Sequence, residues 1–259
     1  MTQSVALTIA TSDSGSGAGI QADLKTFTAC QVYGVTAFAA LTAQNPDGVS
    51  AIHELPADFL RAQLNQLASY FNISAAKTGM LFSEPLIEVS AQLIAERKIP
   101  TVVDPVMVST SGARLLKESA IEVLKKELLP RATLITPNLD EAAVLLGWRP
   151  ENPSQMRDAA RQLNQQFGAA ILLKGGHLEG NQLIDILQLP DGESVEIASN
   201  RIPGVDTHGS GCTLSAAIAA YLAQGKTLIE ATQKGHAYLQ QGMERPLQLD
   251  NKCFIRHFP

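Results

Sequence analysis

The chain reads as an α/β protein with a mostly parallel central sheet and helices on both faces, a three-layer sandwich. Short β-rich runs alternate with helix-length amphipathic runs, the pattern of strand–helix–strand units. Residues 101–104, 133–136 and 170–174 are apolar runs of the kind that strands covered on both faces require. Each polar or glycine-rich cluster follows a strand candidate, and ligands in such sheets bind at the carboxyl ends of the strands.

With 259 residues, 45% of them hydrophobic and 17% charged, the chain can bury a large core and is expected to form one domain over 1–259. A net charge of -5 argues against nucleic acid as a partner. Cys30, Cys212 and Cys253 are scattered, in no metal-like spacing, which suggests a reducing compartment without a disulfide framework. The N-terminal segment has no basic start and no cleavable apolar run, and no apolar stretch is long enough to span a bilayer. A cytoplasmic protein without a membrane partner is expected.

The elements follow in order. Residues 5–10 form the first strand, followed by a glycine loop and a helix running through Cys30. Residues 34–43 and 49–55 read as strands, and 57–71 as a helix with Leu60, Leu64, Leu67 and Phe71 on one face. A short strand at 75–77 precedes a helix at 85–98, with Ser83 as its N-cap. Helices at 118–129, 139–146 and 154–167 separate the buried strands. Residues 183–189 and 194–198 make a hairpin across Asp191-Gly192. An alanine-rich helix at 213–224, a second helix and a polar tail from Met243 close the chain.

The stretch Asp206-Thr207-His208-Gly209-Ser210-Gly211-Cys212-Thr213 organises the rest. Its glycines free the backbone, and a turn opening a helix presents unpaired N–H groups at the positive end of the helix dipole, which suits an anion. Cys212 lies in that first turn, where the same field favours a thiolate. The alternative is a tight turn feeding a buried helix. Two familiar phosphate motifs are excluded: Ile20 stands where the last glycine of a dinucleotide fingerprint belongs, and Ala220 where the first glycine of a P-loop ending at Gly225-Lys226-Thr227 belongs.

Four further clusters carry chemistry. In the Asp13–Asp23 loop, Gln21 or Asp23 points back toward a ligand, or Asp23 is an exposed helix carboxylate. Gln44 both donates and accepts, which suits a heterocycle with adjacent ring nitrogen and amino group, unless Gln44-Asn45 is only a solvated turn before Pro46. Asp104, Asn138 and Glu141 gather oxygens suited to Mg²⁺, while Asn138 and Glu141 also have capping-box spacing. Lys174, before Gly175-Gly176, either reaches a phosphate or is a surface lysine. His177 and His208 lack metal-ligand spacing, so zinc is not expected. Together these are the parts of a phosphoryl-transfer site without a P-loop, for a nucleotide-dependent small-molecule kinase.

The motifs Ala18-Gly19-Ile20-Gln21-Ala22-Asp23, Leu41-Thr42-Ala43-Gln44-Asn45, Lys77-Thr78-Gly79-Met80, Asp104-Pro105-Val106-Met107, Thr136-Pro137-Asn138-Leu139, Lys174-Gly175-Gly176-His177 and Thr207-His208-Gly209-Ser210-Gly211-Cys212-Thr213 occur in one order from about residue 5 to about residue 240. In that order the chain resembles the hydroxymethylpyrimidine/phosphomethylpyrimidine kinases of thiamine biosynthesis, a ribokinase-like family. The resemblance implies ATP- and Mg²⁺-dependent phosphorylation of 4-amino-5-hydroxymethyl-2-methylpyrimidine and then of its monophosphate. It implies that Gln44 binds the pyrimidine in a pocket lined by Asp23, Ala18, Met80 and Val106. Gly209, Ser210, Gly211 and Cys212 become the anion hole and catalytic turn, with Lys174 on the phosphates. Asn138 and Thr207 join Lys174 at the nucleotide, Asp104 and Glu141 serve the metal, and a homodimer is implied.

Two departures stand out: Thr11 and Ser16 occupy loop positions where the family often has glycine, and the ending from Lys252 lacks the family's glycines. A pyridoxal or pyridoxine kinase of the same fold is the nearest alternative. More distant ones are a catalytically silent binding protein and a nicotinamide oxidoreductase, the latter weakened by Ile20.

Overall fold

The computed structural model describes residues 3–108, 115–176, 182–250 and 252–258. Its chain order is β1 (Val5–Thr11), α1 (Gly19–Ala29), β2 (Tyr33–Asn45), β3 (Gly48–Glu54), α2 (Ala57–Tyr70), β4 (Ile73–Thr78), α3 (Glu84–Arg97) and β5 (Thr101–Val103). There follow α4 (Glu118–Val123), β6 (Leu134–Ile135), α5 (Leu139–Leu146), α6 (Pro153–Phe167), β7 (Ala170–Leu173) and the β8 (Gln182–Gln188)–β9 (Ser194–Asn200) hairpin. Helices α7 (Ser210–Ala223) and α8 (Leu228–Glu244) precede a small hairpin, β10 (Leu247–Leu249) and β11 (Lys252–Phe254).

Among the described residues, nine strands form one sheet in the order β3-β2-β1-β4-β5-β6-β7-β8-β9. The six strands from β2 to β7 run parallel, and β3, β8 and β9 close the two edges antiparallel. Side-chain alternation explains why the central strands read as continuous apolar runs. In β7, Ile171 and Leu173 join the core under α2–α6, while Ala170 and Leu172 join the core under α1, α7 and α8. Burying a large aliphatic side chain contributes about 1.5–3 kcal/mol, so this double alternation is what commits each short strand to the interior.

The order of pairing reverses beside β1: its following strand β2 lies on one side and β4 on the other. Such a reversal opens a crevice at the carboxyl ends of the strands. Helix α7 lies over that crevice, its buried face made of Ala216, Ala217, Ala219 and Ala220, whose small side chains let it sit close to the sheet. α8 crosses α7 closely at Gly235, where an added Cβ would meet Ile218 Cγ1 at 2.7 Å.

Several elements differ from the sequence expectation. The second strand continues to Asn45, so Gln44 and Asn45 lie on β2 itself, paired with Val49 and Gly48, instead of in a loop after it. The helix expected over 118–129 keeps regular α geometry only to Val123, then widens into a π-type stretch over Leu124–Leu128 and a tight 3-10 turn at Leu129–Arg131, where Pro130 forbids continuation. Ser83 precedes α3 but does not cap it, because its hydroxyl donates to the Glu54 carboxylate. Helix α6 starts at Pro153, one residue before the expected start, and is capped by Asn152. The expected polar tail is the β10–β11 hairpin, pinned by Asp206 N–H donating to Cys253 O and by the Lys252–Asp47 ion pair at 2.8 Å. No helix among the described residues is long and apolar enough to cross a membrane.

Candidate active site

Gly209 sets the geometry of the central turn. It precedes α7 in the left-handed conformation, φ 82°, and no side chain caps the helix. A Cβ there would fall 1.9 Å from Gly17 O, so the turn lies directly on the loop after β1 and only glycine fits. Ser210 N–H donates to Thr207 O, which closes the turn, and Thr207 itself is exposed. Helix α7 begins at Ser210, three residues before the expected start, so Ser210, Gly211 and Cys212 form its first turn. Their amides stand at the positive end of the helix.

Gly211 faces the ends of β5 and β7. A Cβ there would lie 3.3 Å from Lys174 Nζ and 3.5 Å from Asp104 Oδ2. Lys174 Nζ and Asp104 Oδ1 pair at 3.1 Å, and Thr136 Oγ1 donates to the same oxygen at 3.2 Å. Burial works against the Lys174 charge, but Asp104 and then Glu141 outweigh it and hold the ammonium protonated. Asn138 caps α5 with Glu141 reciprocating, a complete capping box. Burial, together with Asp104 and against the pull of Lys174, raises the Glu141 carboxyl to about 8. Capping and clustering thus coexist, as the spacing allowed.

Beneath Cys212 lies a buried ion pair that the motifs alone do not reveal. Lys77 Nζ donates to both oxygens of Asp23 at 2.9 Å, and Thr8 Oγ1 donates to Asp23 Oδ2 at 2.6 Å. Both charged side chains are 0% exposed. Asp23 therefore does not line the pocket as expected; its oxygens are consumed below it. Burial disfavours the Lys77 charge, and Asp23 more than restores it. Cys212 also corrects an expectation: burial pushes its thiol up, and Asp23 and Asp104 add to this, despite Lys77 and a Gly19 amide pulling the other way. The cation nearest in effect is Lys77, not Lys174. The thiol is protonated at rest.

The acceptor side is built on Asp13, which sequence reasoning passed over. Its carboxylate accepts from Gly15 N–H at 2.8 Å, Gly17 N–H at 3.1 Å and Ala18 N–H at 2.8 Å, winding the loop around one side chain. Gln21 points back into the loop but spends its amide on the chain, accepting from Asp13 N–H and donating to Ser12 Oγ, and not on a ligand as expected. His208 Nε2 sits 3.1 Å from Asp13 Oδ2 and 3.2 Å from Gln44 Nε2. One ring nitrogen cannot donate to Asp13 and accept from Gln44 together, so the proton on His208 decides whether the Gln44 amide is engaged or free. Burial works against the Asp13 charge, yet His208 and the Ala18 and Gly15 amides bring its carboxyl below the ordinary value. The Asp13 hydrogen bond raises His208 in return. Ala18 and Gln44 are half-buried around this centre; Met80 follows β4 and accepts from Thr11 Oγ1, and Val106 follows β5. A cleft of about 720 Å³ opens beside it, walled by Gly17, His208 and Asn45 on one side and by Phe254 and Arg256 on the other. Ser16 holds a left-handed φ of 67°, a conformation that favours glycine. His177 lies outside the described residues.

An amide-lined helix mouth, a lysine, two carboxylates and an acceptor pocket at the carboxyl ends of a parallel sheet define a phosphotransferase of the ribokinase-like α/β class. The phosphomethylpyrimidine kinase family model matches residues 13–256. The hydroxymethylpyrimidine/phosphomethylpyrimidine kinase of Rhizobium meliloti is 43% identical over 95% of this chain and 92% of its own. The thiamine biosynthesis bifunctional protein ThiED of Geobacter sulfurreducens is 47% identical over 90% of this chain, which spans only 48% of that longer protein. An ADP complex of Bacillus subtilis pyridoxal kinase superposes with a TM-score of 0.91 at 35% identity, covering 99% of this chain and 98% of that one. The chain belongs to the phosphomethylpyrimidine kinase family.

Proposed function

We propose that the protein transfers the γ-phosphoryl group of ATP to 4-amino-5-hydroxymethyl-2-methylpyrimidine and then to the monophosphate so formed. The observation that carries this reading is the convergence of Lys174 Nζ and Asp104 Oδ2 on the space over Gly211, at the open end of α7. A terminal phosphate there would meet helix amides and the Lys174 ammonium, beside the Asp104 oxygen that a cation could use. Asn138 and Thr207 flank the nucleotide.

The donor set suits Mg²⁺. Asp104 has one oxygen committed to Lys174 and Thr136 and the other turned to the phosphate space, and Mg²⁺ is commonly held by one or two carboxylates with phosphate and water. Asp104, with Glu141 behind it, would hold the ion, which would neutralise charge on the phosphates. The chain's own residues do the rest. Gln44 reads the ring through its amide, and Ala18, Met80 and Val106 shape the pocket. Asp23 acts from below by fixing Lys77.

The acceptor oxygen forms a bond to the γ-phosphorus as the bond to the ADP oxygen breaks. Because Cys212 keeps its proton at rest, its thiol orients the acceptor hydroxyl, whose proton passes late, in a loose transition state, to an oxygen of the transferred phosphoryl group. A homodimer completes the reading. Leu41 on β2, and Val49 and Ile52 on the edge strand β3, are 42%, 50% and 44% exposed, apolar side chains that a second copy could cover. The protein is read as one kinase domain over 1–259, working in the cytoplasm.

The superposition with pyridoxal kinase supports a second acceptor, pyridoxal, in the same pocket. Measuring ADP release with the pyrimidine, its monophosphate and pyridoxal decides between them. Turnover with both pyrimidines at the higher kcat/KM is expected; turnover with pyridoxal alone would overturn the reading.

A further inference from the structure

Asp185 is a buried carboxylate that the mechanism above does not use. It lies on β8, on the sheet face covered by α7 and α8, and is 8% exposed. A carboxylate in such a place needs partners, and each of its oxygens has one. Oδ1 accepts from Gly175 N–H at 2.7 Å in a buried contact. Oδ2 lies 3.0 Å from His236 Nε2, close but off the line of a ring hydrogen bond, so the two form an ion pair only when the imidazole is protonated.

Gly175 is the residue after Lys174, and its backbone is fixed from three directions. Lys174 N–H donates to Pro137 O at 2.9 Å. A Cβ on Gly175 would fall 2.0 Å from Ile184 O, so the chain runs directly against β8. Asp185 holds the third side. From this anchored backbone Lys174 extends Nζ to Asp104 and to the space over Gly211. His236 reaches Asp185 because Gly235, beside it, lets α8 approach α7.

We propose that Asp185, backed by His236, is a positioning residue that sets the reach of Lys174 toward the nucleotide's terminal phosphate. The pair touches no reacting atom and acts through the Gly175 backbone. The proposal rests on the reading of Lys174 as a phosphate ligand. Asp185 also adds to the charges that keep Lys174 protonated.

Steady-state kinetics of the full chain with ATP, Mg²⁺ and the pyrimidine test it through Lys174→Ala, Asp185→Ala and the double variant. Asp185→Ala is expected to raise KM for ATP about tenfold, to leave KM for the pyrimidine unchanged, and to add nothing in the Lys174→Ala background. Asp185→Asn keeps an acceptor for Gly175 N–H but loses the charge, so a rise of about threefold is expected, again absent when Lys174 is Ala. If Asp185→Ala does not fold, the Asp185→Asn cycle alone decides. Effects that multiply in the double variant, equal rises in both KM values, or no change in ATP KM overturn the proposal. An unchanged ATP KM in Lys174→Ala overturns the phosphate role of Lys174, and the positioning role with it.

Discussion

The Asp13 carboxylate and the His208 imidazole, 195 residues apart in sequence, meet at 3.1 Å and tie the loop after β1 to the turn before α7. Their titrations set a pH window for that tie. His208 is raised above 6.5, so its contribution is complete below 6.5 and is lost as pH rises through the folded value. Asp13 is lowered below 3.8, so its contribution is complete above 3.8 and is lost as pH falls through the folded value. The pair is therefore at full strength between 3.8 and 6.5. Melting temperatures of the wild type and Asp13→Asn, compared from acid to alkaline pH, should differ most inside that window. A constant difference across pH would contradict the pairing.

Cys212→Ala should lose about 10²–10³ in kcat, the range for removing one positioned hydrogen-bonding group, while ATP binding measured by calorimetry persists. An orienting role predicts that Cys212→Ser keeps activity within about tenfold of the wild type, since a hydroxyl makes the same contact. Serine as inactive as alanine would point instead to a required thiolate.

The two turn glycines should fail in opposite ways. Gly211 sits in ordinary helical geometry with tolerable contacts, so Gly211→Ala should leave stability unchanged or raise it by about 0.5–1 kcal/mol while kcat collapses. Gly209→Ala adds a methyl 1.9 Å from Gly17 O at a left-handed φ, and should unfold earlier in urea. Equal loss of stability in both variants would count against the turn as described.

Lys77→Met leaves Asp23 buried without its cation, and should cost about 3–5 kcal/mol in chemical denaturation. Adding Asp23→Asn removes the stranded charge and should return most of that loss. Activity should not return, because the cation beneath Cys212 is gone. Recovery of turnover in the double variant would make the pair purely structural.

Much of this was legible in the sequence, because the layers follow from apolar periodicity and the phosphate residues stand on short, glycine-marked strand ends. Gly209, Gly211, Asp104 and Lys174 meet where their order along the sheet places them. What stayed hidden is contact-dependent. Nothing local distinguishes Asp23 or Lys77 from a surface charge; only the parallel register that stacks β4 beside β1 buries them together. The spacing of His208 speaks only against zinc; its partners Asp13 and Gln44 are distant in sequence and leave no local sign. The field at the mouth of α7 was visible, but the desolvation that outweighs it at Cys212 depends on packing. The final hairpin was unreadable because two three-residue strands, one exposed and one half-buried, are too short to carry an apolar rhythm.

The contact of Gly209 with Gly17 has a mechanical corollary. With no side chain between them, the acceptor loop and the phosphate grip cannot slide past one another and move as one casting. A compound that wedges the first loop open would drag the helix mouth with it, so inhibitors lodged in the neighbouring cleft should weaken ATP binding without touching the nucleotide.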